Sequence, residues 1–424
     1  MQTSTKIFGV IFSISFVLNC ILPIFPVYTG GMMYHVLGIS LLPIFILPFI
    51  FKVSVNDFLS MLILFFIFFV TTFISVINSG DSIVEVFSAL KIVYFLLYII
   101  IGYLYGYKVN SSIKKYEKLY FVVLIVSILV SIIELFVPEI SYLLYKRATL
   151  DILADKLTSL FNTTYHYAFF LFWGLCFYLS KLFHLIGERG AKSQFLYSFI
   201  ISLAILFLIL MTQSRNFILV SIILFSIKII SVIVRRIKNI KVTIGIFIVS
   251  LIGVALFEHF YTEIEARFSY VFLGISYLLT GGLDFSGGGS GSFNTRINQI
   301  IFAWNAISPN PLFGAGVGKD IYLESVYAYL LYKYGIIGLF TFFIMIFASS
   351  NLARKNELLA NNLSDKVFFN SCFWFFSLSP IYFLSGPLFE VPKLSMFFYC
   401  LMGILVGYSR KLSNDRLRMT VSYY

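Results

Sequence analysis

Twelve apolar runs follow one another along the 424 residues of this chain, and they leave few folds open. They cover 7–25, 36–51, 58–77, 86–105, 119–137, 165–182, 195–211, 217–234, 242–260, 325–347, 367–384 and 391–408. Each is close to the roughly 20 residues that carry a helix across the hydrocarbon core of a bilayer. Lipid offers no partner to an open sheet edge, so helices that satisfy their own backbone groups are the expectation. Charged residues make up 12% of the chain, against roughly a quarter in soluble domains, too few for a water-soluble globule. The chain is therefore expected to be all-α, a polytopic membrane protein of about 12 transmembrane helices forming a single domain over 1–424. The runs 36–51, with Pro43 and Pro48, and 391–408, beginning around Pro392 and Lys393, are the weakest.

Charge sets the direction of the spans. The net charge of +12 invites a nucleic-acid reading, but most of the Lys and Arg sit in short connections between apolar runs, as insertion topology requires. With the N-terminus in the cytoplasm and strict alternation, the inner connections hold twenty Lys and Arg and the outer ones eight. Both termini are thus expected in the cytoplasm, with an even number of spans. Lys6 precedes the first run and no small-residue cleavage site follows it, so that run is read as an uncleaved span. Cys20, Cys176, Cys372 and Cys400 all lie within apolar runs and are expected to behave as small hydrophobes.

Three outer segments remain: a smaller loop at 138–164, a tight hairpin over 212–216, and a large loop at 261–324. The hairpin mounts Arg215 at head-group level. Two readings stand for it: an arginine snorkelling to lipid phosphate, or a fixed, bidentate donor for a ligand diphosphate. The glycines from Gly281 to Gly291 read as a hinge rather than a phosphate cradle, since no Gly-Lys-Ser/Thr follows them. Asp320 stands where a nucleotide loop at 314–319 needs Ser or Thr, which removes that reading. Lys91, Glu134, Lys228 and Lys333 lie within spans. Lys228, near an inner end, is expected to snorkel; Lys91 and Lys333 are expected to face a polar interior and to form structural ion pairs. The four histidines have no metal-ligand spacing, and no metal or other cofactor is expected.

Two stretches together resemble the O-antigen polymerase and ligase superfamily, the Wzy-type polymerases in particular. The first is Met211-Thr-Gln-Ser-Arg215. The second runs through Thr295-Arg296, Ala303-Trp304, Asn310-Pro311-Leu312-Phe313-Gly314-Ala-Gly316 and Glu324-Ser-Val-Tyr327 to Tyr334-Gly335-Ile-Ile-Gly338. The ligases of that superfamily have a His where Glu324 stands, so the polymerase branch is preferred. The resemblance implies a GT-C-like membrane glycosyltransferase in the bacterial inner membrane. Its donor and acceptor would be oligosaccharides on undecaprenyl diphosphate, joined on the outer (periplasmic) face into O-antigen or a similar polymer. A chain-length regulator is the protein partner it suggests, and nucleic acid is not a partner. Arg215 and Arg296 are assigned to the diphosphate and Glu324 to the acceptor hydroxyl as general base. Arg267, Lys319, Tyr327, Asn294 and His166 are the lesser candidates for sugar or phosphate contacts. Two rivals are a ligase-type transferase and a polysaccharide flippase or transporter, for which twelve spans are equally suitable.

Overall fold

The computed structural model describes residues 2–22, 38–44, 59–79, 91–139, 156–161, 163–186, 191–236, 258–259, 291–316, 321 and 323–421. Among them the chain is helical and has no strand. The principal helices are α1 (Gln2–Ile21), α2 (Leu59–Ser79), α3 (Lys91–Lys108), α4 (Ser112–Phe136), α5 (Thr164–Leu185), α6 (Lys192–Met211) and α7 (Arg215–Arg236). After them come α8 (Gly291–Ala306), α9 (Val326–Leu359), α10 (Leu363–Ser377), the single turn α11 (Ser379–Tyr382) and α12 (Pro392–Val421). Two 3-10 turns, Phe383–Ser385 and Leu388–Glu390, lie between α11 and α12. Thr3–Ile21 of α1 and the whole of α4, α5, α6 and α9 are long and apolar enough to cross a membrane. The bent pair Leu363–Ser377 and Ser379–Ser385 supplies a sixth such element, with a 44° break. The protein is therefore a helical membrane protein. Nearly all of the run 242–260, most of 36–51 and much of both long outer segments lie outside the described residues.

The centre of the bundle is α5, which is 83% buried along its apolar window, whereas α4 and α6 are 33% buried. Burial of a helix on all sides requires apolar residues all round it, and α5 has them. Trp173 packs edge-on against Tyr116, Tyr120 and Phe397, with ring centroids 5.5, 4.5 and 5.9 Å apart. Tyr120 donates to the Phe170 carbonyl at 2.9 Å, so its hydroxyl is not left unmatched inside the bundle. The outward faces of α4 and α6 instead carry exposed Val122, Ile125, Leu129, Leu196, Ile200 and Leu203, the surface that lipid covers.

α3 packs closely against α12 through two glycine pairs, the glycines of each pair spaced four residues apart. A Cβ on Gly102 would stand 2.2 Å from the Cys400 carbonyl oxygen, and one on Gly106 2.6 Å from that of Ile404. Reciprocally, Gly403 and Gly407 would place a Cβ 2.2 and 2.1 Å from the carbonyl oxygens of Ile99 and Tyr103. Lipid tails are as apolar as leucine, so membrane helices associate through close backbone approach, and small residues at i and i+4 permit it. The pattern stands in the sequence as Gly-x-x-x-Gly in both helices.

Long-range polar ties fix the bundle ends. The Glu134 carboxylate accepts from the backbone N–H of Thr158 at 3.1 Å, that of Ser159 at 2.7 Å and the Thr158 hydroxyl at 3.0 Å. Glu134→Ala would leave these buried donors unmatched, an expected loss on the order of 3 kcal/mol. Thermal unfolding in detergent checks this, with Glu134→Gln expected to fall between the variant and the parent. Lys228 departs from the expected snorkel. It is 6% exposed, and its ammonium donates to Ser180 at 3.2 Å and to the Asn370 side-chain oxygen. Asn370 in turn donates to Glu357 at 2.7 Å, which pairs with Arg354 at 2.8 Å. The reason is that α5, α7 and α10 meet around Lys228 and supply polar partners inside the bundle. The four cysteines are free thiols, buried in apolar surroundings.

Candidate functional site

The site is built around two interruptions of helix. The first lies within α9. The sequence reads 325–347 as one continuous span, but Gly335 has φ 66° and ψ −167°, far from helical values. Tyr327 and Phe343 stand eight residues to either side of Gly335. In an unbroken helix a separation of 16 residues would place them about 24 Å apart. Their rings are stacked at 5.2 Å, so 326–334 folds back along 336–359. The second arm alone, at about 36 Å, is long enough to cross a bilayer. The first arm is too short and instead delivers Glu324, which precedes it, alongside the wall of the second.

The turn at 310–316 is what stabilises this break. Ala315 N–H donates to the Tyr332 carbonyl at 2.7 Å, and the N–H groups of Ile336 and Ile337 donate to Pro311 at 3.0 Å and Leu312 at 3.2 Å. Backbone groups that a break in a helix frees must find partners inside the membrane, and the turn supplies them. Gly314 has φ 86°, and a Cβ there would meet the Tyr332 carbonyl oxygen at 2.6 Å. A Cβ on Gly335 would meet the Leu312 carbonyl oxygen at 2.4 Å. The Asn-Pro-Leu-Phe-Gly-Ala-Gly stretch and the Gly-Ile-Ile-Gly stretch are thus two halves of one interlocked unit. Gly335→Ala is expected to reduce recovery of folded protein in detergent, as read by size-exclusion chromatography, because it combines an unfavourable φ with a backbone clash.

On this mount, α8 presents Arg296 and Gln299 one turn apart, on the same side of the helix. The Gln299 side-chain oxygen accepts from the backbone N–H groups of Glu324 at 2.9 Å and Ser325 at 3.3 Å. Arg296 Nη2 lies 3.7 Å from Glu324 Oε2, with the arginine side chain 11% exposed and the glutamate 36%. Among the described residues, Arg296 Nε is buried and has no hydrogen-bond acceptor, and the buried Ser325 hydroxyl likewise has no partner. A guanidinium that is largely out of water and still has an unmatched N–H is suited to an incoming oxyanion.

The second interruption is the segment Leu378–Val391 between α10 and α12. Gly386, at φ 137°, would place a Cβ 3.2 Å from the Glu324 carbonyl oxygen. Beside it, Ser385 accepts from the Asn216 side-chain amide at 2.9 Å. The hairpin at 212–216 is thereby tied to the segment that touches Glu324. Within the hairpin Gln213 takes φ 52° and Ser214 N–H donates to the Thr212 hydroxyl at 3.3 Å, which sets the start of α7. Arg215, the first residue of α7, is half-buried rather than spread on the surface. Arg215, Arg296 and Glu324 therefore belong to elements joined by direct contacts.

The lesser candidates divide. The Tyr327 hydroxyl donates to the Pro380 carbonyl at 2.7 Å, tying the first arm of α9 to α11. His166 lies in the first turn of α5, where its backbone N–H donates to the Thr163 hydroxyl at 3.3 Å. Arg267, Lys319 and the side chain of Asn294 lie outside the described residues. Three further groups emerge that the sequence reading passes over: Gln299, Asn216 and Glu390. Glu390 Oε2 stands 3.7 Å from Lys91 and accepts from the Tyr329 hydroxyl, while Tyr334 reaches Oε1 at 3.4 Å. Lys333 lies over the Tyr329 ring at 4.7 Å. Lys91 thus makes the ion pair expected of it but is 36% exposed rather than interior, whereas Lys333 is buried over a tyrosine ring; no local motif marks the carboxylate. Gln299 had a local signal, its i+3 spacing from Arg296; Asn216 and Glu390 had none. Compared with known proteins, the chain matches no family model and no curated protein.

Proposed function

We propose that this protein is a glycosyltransferase of the bacterial inner membrane that polymerises oligosaccharide units carried on undecaprenyl diphosphate. In this reading twelve spans in a GT-C-like arrangement place the Arg296–Glu324 pair toward the periplasmic side. The supporting observation is that pair itself: a nearly buried guanidinium with an unmatched Nε, 3.7 Å from a carboxylate, at the mouth of a broken helix. Without substrate, Glu324 occupies the place of an anion beside Arg296. A donor diphosphate takes over the guanidinium and releases the carboxylate. Glu324 then accepts the proton of the acceptor sugar hydroxyl while its oxygen bonds to the anomeric carbon of the donor. The bond from that carbon to the diphosphate oxygen breaks, and undecaprenyl diphosphate leaves with its charge held by Arg296 and Arg215. The sugar–diphosphate bond supplies the energy, so the protein contributes positioning and charge stabilisation. A chain-length regulator is the partner protein in this scheme.

The test is reconstitution of the purified chain in proteoliposomes with lipid-linked repeat units. Formation of a ladder of longer lipid-linked glycans supports the proposal, and recovery of single units alone overturns it. One observation favours a second reading. Transport sites commonly sit on discontinuous helices, and both α9 and the α10–α11 element are broken beside these charges. A flippase would move single units across the vesicle membrane without lengthening them, so the same vesicles separate the two.

A further inference from the structure

At the opposite end of α10 from Glu324, a cavity of about 790 Å³ opens between α4, α5, α6, α10 and α12. Lys114 and Lys118 of α4, Lys181 of α5 and Lys411 of α12 line it. Its carboxylates are largely committed. Glu117 pairs with Lys181 at 2.7 Å, and Asp365 accepts from the Tyr408 hydroxyl at 2.6 Å and the Asn362 amide at 2.7 Å, leaving Asp415 exposed. Lys411 reaches the Val109 carbonyl at 3.4 Å. Lys114 and Lys118 have no carboxylate within ion-pair distance among the described residues. They lie one helical turn apart, where like charges repel each other and an anion between them relieves the repulsion.

About two turns deeper along α4 the lining becomes aromatic. The Tyr197 ring lies 5.9 Å from that of Phe121 and 6.3 Å from that of Tyr178. Tyr197 is 42% exposed, and this wall runs into the outward apolar surface formed by Leu196 of α6 and Val122 and Ile125 of α4. A cationic shelf above an apolar wall that opens sideways fits an amphiphile better than a free ion. The sequence charge bias also puts this end of the bundle at the inner leaflet, where anionic lipids are at hand.

We infer that this cavity is a binding site for an anionic phospholipid, its phosphate on Lys114 and Lys118 and its acyl chains along Phe121 and Tyr197. The site is separate from the Arg296–Glu324 pair and does not rest on the function proposed for it. Native mass spectrometry of the delipidated full chain, titrated with phosphatidylglycerol or phosphatidylcholine, tests it. Phosphatidylglycerol adducts are expected at about tenfold lower lipid concentration than phosphatidylcholine adducts. Lys114→Glu/Lys118→Glu should abolish that preference, and the milder Lys114→Gln/Lys118→Gln should reduce it severalfold should the charge reversal fail to fold. Lys355→Glu, exposed on α9 away from the cavity, should leave it unchanged. Equal titration of the two lipids, or a preference that survives the glutamine pair, overturns the inference. Displacement of phosphatidylglycerol by millimolar inorganic phosphate at constant lipid would instead make it a site for free anions and would overturn the lipid assignment.

Discussion

Arg296→Ala should lower the rate of glycan lengthening in proteoliposomes by about 100- to 1,000-fold, the range for removing one preorganised donor from a developing oxyanion. The side chain is 11% exposed, so water replaces the guanidinium poorly. Glu324 would also lose its cationic partner, leaving a carboxylate near helix breaks with its position held mainly by the Gln299 contact to its backbone. Arg296→Lys keeps the charge but not the planar fork, and it is expected to recover less than a tenth of the activity if the grip is bidentate. Glu324→Gln should cost a similar 100-fold or more as the loss of a general base. The two losses should combine less than additively, because both residues serve one step. Arg215→Ala should raise the donor concentration needed as well as slow the reaction, since Arg215 stands on a separate element. Normal ladders from the Arg296 and Glu324 variants, with the protein folded, would remove the site assignment. Gln299→Ala provides a finer test: the Gln299 side-chain oxygen accepts from the backbone N–H groups of Glu324 and Ser325, so an effect on rate is expected to come through the placement of Glu324.

Gly403→Leu should abolish recovery of folded protein, and Gly403→Ala should lower stability by about 3 kcal/mol or more. The methyl group of alanine would already stand 2.2 Å from the Ile99 carbonyl oxygen and 2.7 Å from the Tyr103 nitrogen. These are backbone atoms within a helix, so relief requires the two helices to separate. Separation of α3 from α12 undoes packing along both helices, because Gly102, Gly106 and Gly407 depend on the same interaxial distance. It would also move Lys91 and Glu390, which sit near the starts of these helices. Gly9→Ala is the matched control. Among the described residues its added methyl would meet only Val109 side-chain carbons at 3.6 Å, an ordinary contact, and little change is expected. Size-exclusion profiles and thermal unfolding in mild detergent distinguish the two outcomes; a well-folded Gly403→Leu variant would show that the interface is looser than the structure has it.

Membrane insertion, helical structure and the approximate places of most described helices were legible in the order of residues; α8, inside the segment read as a loop, was not. A span satisfies its backbone groups internally, so roughly 20 apolar residues suffice to mark it wherever its neighbours lie. Lys228 shows where such local reasoning stops. Its place near an inner span end suggested a snorkel, whereas Ser180 and Asn370, distant in sequence, hold it inside. The glycine pairs at 102/106 and 403/407 stood in view as a pattern, but which helix each would face was a matter of packing.

Arg296 and Glu324 were singled out by the resemblance of the stretch 295–338 to a known family and by their expected places at the outer side of the spans. Their meeting, the return of 326–334 along 336–359, and the Lys91–Glu390 contact followed from the assembled bundle. Each depends on groups far apart in the chain that become neighbours when helices pack. Hydropathy is a property of one segment and can be read one segment at a time. A polar site inside a membrane belongs to several segments at once, and its geometry exists once they are together.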